Sequence, residues 1–193
     1  MDLKPPPTVL QFAATMVSKN KSDRIREFVV NYYVDDRSFS VFETVVPNSG
    51  FRGGKFLQKK MCLKPETNKP YEPHDIFIGA RITLDGWVFV LQEASEHTLK
   101  VMEARSDVFV KCDLSLAMSK MRTMFRDKIP SLRAAFEKVD ERKKLRVSLL
   151  ETQQILKDYG IIMGDQEFLT LFRRYQFGDS DKFAYLDFLK AME

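Results

Sequence analysis

The sequence predicts an α+β protein in which an antiparallel β-domain is followed by an all-α domain. Three observations carry this reading. Apolar residues recur with a period of two up to about residue 95 and with a period near 3.6 beyond it. An Asp85-Gly86 pair separates two alternating runs, the signature of a two-residue hairpin whose turn positions both need positive φ. Sixteen Phe and one Trp supply enough bulk for a packed core.

The elements follow in chain order. Val9–Val17 reads as the first strand. Phe28, Val30, Tyr32 and Val34 share one face of the second, because alternate side chains of a strand point the same way. Asp35, Asp36 and Arg37 turn the chain into a strand over Ser38–Val46, and Gly54–Leu63 forms another. Ile76, Ile78, Ala80, Ile82 and Leu84 alternate over one longer strand, and Trp87, Phe89 and Leu91 return from the Asp-Gly turn. Six strands with short connections imply an antiparallel barrel or sandwich. Ser95 then caps a helix with Leu99 and Met102 on one face, placed to cover an open end of the barrel. This barrel-plus-helix order is that of pleckstrin-like folds, and it assigns residues 9–104 to the first domain.

Residues 105–113 read as a linker and residues 114–193 as about five helices. Asp113 caps the first of them, with Leu114, Ala117, Met118, Met121 and Phe125 on one stripe. Met118, Met121 and Met124 suit helical core packing better than an open target groove. Pro130 fits the first turn of the next helix, where its missing N–H costs nothing. Gly160 and Gly164 bracket a later interhelix loop.

Composition removes several function classes. Thirty-one basic against 27 acidic residues leave +4, shared as 14 against 13 up to residue 104 and 17 against 14 beyond it, so neither half is built for a polyanion. No apolar run approaches the roughly 20 residues of a membrane span, and Met1–Pro7 lacks the pattern of a signal peptide. Cys62 and Cys112 lack CxxC spacing and read as free thiols in a reducing compartment, with a bridge between them left open. His74 and His97 lack metal-site spacing, and no nucleophile, His and acid recur with catalytic spacing. The chain is read as a non-enzyme without cofactor.

Two stretches in the helical half are spaced like calcium-binding helix–loop–helix units, which place oxygen ligands at loop positions 1, 3, 5, 7, 9 and 12 and Gly at position 6. Counted from Asp140, position 8 is the apolar Val147 and position 12 is Glu151. Positions 3 and 5, however, are Arg142 and Lys144, and position 6 is Leu145, so cations stand where calcium needs carboxylates. The second loop runs from Gln176 to Asp187 with Phe183 at position 8, but Gly178 offers no side-chain ligand. Both loops are expected to pair through Val147 and Phe183 and to hold the helices without metal. If calcium bound anywhere, the weak candidates would be Ser180 and Asp187, with Asp179 or Asp181, in an altered geometry.

The glycine-rich Asn48–Lys55 is not a phosphate loop, because Phe56 and a strand follow Lys55 where Ser or Thr and a helix are required. Together with Arg26-Glu27-Phe28-Val29-Val30-Asn31-Tyr32-Tyr33-Val34-Asp35-Asp36, Tyr71–Ala80 and Glu96–Glu103, in that order, the run Asn48–Leu57 resembles the DM-ten domain. With the degenerate loop pair behind it, the chain is similar to the EFHC family, the EF-hand-containing ciliary proteins. Typical members carry three DM-ten domains, where this chain has one.

The resemblance implies a pleckstrin-like fold and a structural role in the cytoplasm, in the cytoskeleton of the ciliary or flagellar axoneme. There the chain would act as a microtubule inner protein bracing doublet protofilaments. The implied partners are tubulin and other axonemal inner proteins, with no nucleic acid and no membrane. Arg52, Lys55, Lys59, Lys60 and Lys64, with Lys69 beyond, form a locally basic stretch whose potential suits acidic tubulin. The alternative function is a calcium-responsive regulatory adaptor of ciliary motility.

Overall fold

The computed structural model describes residues 8–140, 142–178 and 180–193. The readings of Met1–Pro7 and of Asp179 lie outside the described residues. The chain separates into two compact units, one ending at Val110 and the other comprising Lys111–Glu193.

The first unit contains β1 (Val9–Met16), β2 (Glu27–Tyr33), β3 (Ser38–Glu43), β4 (Gly54–Met61), β5 (Arg81–Leu84), β6 (Trp87–Ala94) and α1 (Glu96–Ala104). The strands form one antiparallel sheet in the order β4-β3-β2-β1-β6-β5. Its register puts Leu10 opposite Tyr32, Phe12 opposite Val30 and Ala14 opposite Phe28, all buried on one face. The sheet curls around this face into a half-barrel. Phe56 of edge strand β4 reaches Trp87 and Phe89 of β6, at ring-centroid distances of 5.6 and 6.1 Å. Two bulges in the β3–β4 ladder, beside Val41, supply the bend.

Both sheet edges are blunted. Along β4 the bulges and lysines interrupt any flat template for a further strand. Along β5 the hydroxyl of Tyr71 accepts the Thr83 N–H at 2.8 Å and donates to the Thr83 carbonyl. The Asp85-Gly86 turn has φ of +53° and +84°, as its hairpin requires. Ser95 accepts the Thr98 N–H, and Thr98 in turn bonds the Gln11 backbone, which ties α1 to β1 through its buried Leu99 and Met102.

The long strand expected over residues 76–84 is instead only β5. Ile76, Ile78 and Ala80 are buried as their alternation implies, but the chain turns there through Gly79 at φ +92°, with an Ala80 N–H to Phe77 carbonyl bond. Alternate burial is the necessary condition for a half-buried strand and not a sufficient one. The strand expected over Ser38–Val46 ends at Glu43, and those over Val9–Val17 and Gly54–Leu63 end one and two residues early.

The second unit contains α2 (Ser115–Phe125), α3 (Ile129–Val139), β7 (Val147–Ser148), α4 (Leu149–Asp158), α5 (Asp165–Arg174), β8 (Lys182–Phe183) and α6 (Tyr185–Met192). The Asp113 carboxylate accepts the Ser115 N–H at 2.9 Å, and Pro130 lies in the first turn of α3. Val147 pairs with Phe183 across a two-stranded ribbon joining the two loops. The ribbon is clamped from within by aromatic rings. Phe136 stacks on Tyr185 at 5.2 Å, and Phe183 contacts Phe136, Phe172, Tyr175 and Phe188.

Candidate interaction surface

The run that carries the family-like signature folds around Arg26. A short 3-10 turn over Lys21–Ile25, capped by Asn20, ends where Arg26 enters β2. The guanidinium forks onto Glu43, with Nε to Oε1 at 2.7 Å and Nη2 to Oε2 at 3.0 Å, while Nη1 reaches Asp23 at 3.0 Å. Its face lies over Phe51 at 4.3 Å and near Phe28 and Phe56. The side chains of Arg26 and Glu43 are only 11% and 10% exposed, so this is a nearly buried, fully engaged cation. The Ser18 hydroxyl and then Arg26 hold the Asp23 carboxyl below its ordinary range. Glu43 in turn holds the guanidinium proton more tightly than usual.

Arg26 thereby pins the β3–β4 connection. Phe51 is stacked on it, and Gly53 closes the loop at φ +66°, where an added Cβ would sit 2.8 Å from Val45 Cγ2 and 3.0 Å from the Glu43 carbonyl. The result is a rigid projection on which Arg52 and Lys55 are exposed. Val45, 66% exposed, lies beside Gly53, and Phe42 is cross-strand partner to Lys55.

Three further cations of the basic stretch are paired within the chain. Lys59 pairs with Asp36 at 2.5 Å while lying over the Tyr33 ring, Lys60 pairs with Asp85 at 2.6 Å, and Lys64 pairs with Asp75 at 2.6 Å. Lys59 and the Ser38 hydroxyl hold the Asp36 carboxyl below its usual range. Among the described residues Arg52, Lys55 and Lys69 form no ion pair. The sequence reading saw the five cations as one patch. It missed the neutralising acids, which stand 11 to 25 residues from their lysines, and the Arg26 clamp, whose Glu43 lies 17 residues along on the next strand.

In the first helical-unit loop the Asp140 carboxylate accepts the Lys144 N–H at 2.9 Å, the Leu145 N–H at 2.6 Å and the Tyr185 hydroxyl at 3.3 Å. Burial pushes that carboxyl up, but these donors outweigh it and leave it below its ordinary range. Glu151 instead closes a capping box, accepting the Ser148 N–H and hydroxyl at 2.6 Å. These two acids bond protein donors, and Arg142 and Lys144 stand at the third and fifth positions where a calcium loop carries oxygen ligands, so the donor set of this loop does not match that of a calcium site. Leu145, at the position where such loops carry Gly, has φ +59°. Leu145→Gly is expected to stabilise the helical unit by about 0.5–1 kcal/mol, relief of left-handed strain exceeding the added chain entropy. Urea denaturation followed by circular dichroism checks it.

Of the second loop's candidates, Ser180 and Asp187 each have a neighbour of their own. The Ser180 hydroxyl donates to the Phe177 carbonyl, and Asp187 sits exposed in the first turn of α6 beside Lys190 at 3.9 Å. Among the described residues no three His, Cys, Asp or Glu side chains converge as a metal site. Cys62 and Cys112 are separate buried thiols, and no described helix is long and apolar enough to cross a membrane.

Comparison with known proteins agrees with the signature. Residues 3–98 match the DM10 domain. The chain is 30% identical over 175 residues to EF-hand domain-containing family member C2 of Bos taurus, covering 86% of this chain and 24% of the relative. It is 27% identical over 174 residues to the same family member of Danio rerio, covering 86% and 23%. It is 37% identical over 102 residues to EF-hand domain-containing protein 1 of Homo sapiens, covering 51% and 16%. The chain therefore spans about a quarter of the length of these two family member C2 relatives.

Proposed function

Because this chain belongs to the DM10-domain family of EF-hand domain-containing proteins, we propose that it is a structural, non-catalytic microtubule-associated protein of the ciliary axoneme. In this reading it is an inner protein of the doublet that docks on tubulin. The observation that carries the reading is the Arg26-braced projection. It holds Arg52 and Lys55 free of internal ion pairs among the described residues, beside exposed Val45 and Phe42. A rigid loop presenting unpaired cations with apolar neighbours loses little freedom on docking and is steered by an acidic lattice. Lys59, Lys60 and Lys64, already neutralised, contribute less. The calcium-responsive alternative finds no support in the first loop, where Arg142 and Lys144 stand at ligand positions.

Co-sedimentation with stabilised microtubules at low ionic strength tests the proposal. The wild-type chain should pellet with microtubules and be released by salt, because the contact is largely screened Coulomb attraction. Arg52→Glu/Lys55→Glu should weaken binding at least about tenfold, and Lys59→Glu/Lys60→Glu by much less. No pelleting, or equal loss in both double variants, would remove the basis of the reading.

A further inference from the structure

The two helix–loop–helix hairpins of the second unit are joined by contacts in which α2 takes no part. Their ribbon, Val147 to Phe183, and the rings of Phe136, Phe172, Tyr175, Phe183, Tyr185 and Phe188 come wholly from α3 through α6. Yet α2 is seated across them. Leu114, Met118, Met121 and Phe125, spaced i, i+4, i+7 and i+11, are buried in the core that α3–α6 provide. Leu116, Ser119, Lys120 and Thr123 face outward. Polar contacts fix both ends of the helix. Before α2, Lys111 Nζ donates to Glu167 of α5 at 3.2 Å, and in its last turn Arg122 Nε donates to the Ala191 carbonyl of α6 at 2.8 Å. The Phe125 ring meets Tyr159, at the end of α4, edge to face at 6.3 Å.

We propose that the face of α3–α6 covered by α2 is a groove for an amphipathic helix, and that α2 is its resident ligand. The inference rests on reading α3–α6 as a paired helix–loop–helix unit, and it stands apart from the tubulin proposal. Anchors at i, i+4, i+7 and i+11 are those of a helix laid in an apolar groove. Two of them are methionines, whose unbranched side chains adapt to such a surface. A competing partner has defined chemistry: a helix with large apolar residues at the four anchor positions and an Arg or Lys directly after the third, to bond the carbonyl end of α6.

The test uses the full chain and a fluorescent peptide of residues 111–127. The wild-type protein, its groove filled, should exclude the peptide. Met118→Ser/Met121→Ser, which loosens α2, should bind it at least tenfold more tightly, equally with calcium or chelator. A peptide carrying both serine changes should not bind. The milder Arg122→Ala protein should show an intermediate gain, which guards against loss of fold in the double variant. If neither variant takes up the peptide, or if wild type binds it as well as they do, α2 is an ordinary core helix and the proposal fails. Loss of all helical signal in the double variant, with no uptake by Arg122→Ala, overturns it equally.

Discussion

Arg26→Ala should cost the β-unit about 3–5 kcal/mol, the range for removing one partner of a buried ion pair. Three terms add in the same direction. Glu43, 10% exposed, keeps its charge and loses a bidentate donor fork. Asp23 loses one of the two contacts that hold its carboxyl low. Phe51 loses the cation stacked 4.3 Å from its ring centroid, worth about 1–2 kcal/mol where desolvated. Arg26→Lys should recover only part of this, because a point ammonium cannot supply the planar fork. Arg26→Met/Glu43→Met removes both charges together and should be markedly less damaging than Arg26→Ala alone. Urea denaturation monitored by the fluorescence of Trp87, the one tryptophan, measures all three. A loss below about 1 kcal/mol for Arg26→Ala would mean the fork behaves as a surface ion pair. The loop should loosen with the clamp, so microtubule binding in the proposed role should fall although Arg52 and Lys55 are untouched.

How much of this was legible beforehand depends on whether a feature is local. The Asp85-Gly86 hairpin, the Ser95 cap and the Pro130 helix start were readable because each is decided by residues within one turn. The Val147–Phe183 pair was readable because both occupy the eighth position of a twelve-residue count. The non-strand at residues 76–80 was not, since Ile76, Ile78, Ala80, Ile82 and Leu84 keep an apolar residue at every second position while the chain turns at Gly79. The bulges beside Val41 leave no local mark, yet they turn Lys60 toward Asp85 and Phe56 toward Phe89.

The candidate surface follows the same rule. Arg52 and Lys55 were visible as cations, but their distinction from Lys59, Lys60 and Lys64 lies in long-range partners. The Arg26 fork becomes visible only when Phe28 is placed opposite Glu43, which needs the register of β2 on β3. An Arg just ahead of a strand, three residues after an Asp, was the available hint.

The helical unit should be most sensitive at Phe183, where Phe183→Ala is expected to cost about 3–5 kcal/mol. The residue is fully buried and serves two structures at once. Its backbone pairs with Val147, and its ring lies 5.6 Å from Phe172, 5.4 Å from Phe188 and 6.2 Å from Phe136. Truncation leaves a cavity bounded by rings held on three different helices, which cannot all collapse inward together. Val147→Ala, a smaller deletion at the same ribbon, should cost only about 1–2 kcal/mol. Far-ultraviolet circular dichroism reports the helices, and Trp87 fluorescence reports the other unit, so the two signals separate local from general loss. A shift under about 1 kcal/mol in the helical transition would show that the ribbon's rings are not what joins the hairpins. Added calcium should not restore the variant. Asp140 accepts from Lys144, Leu145 and Tyr185, and Arg142 and Lys144 stand at ligand positions of the loop, so the variant is expected to answer to the apolar contact between the loops and not to an added ion.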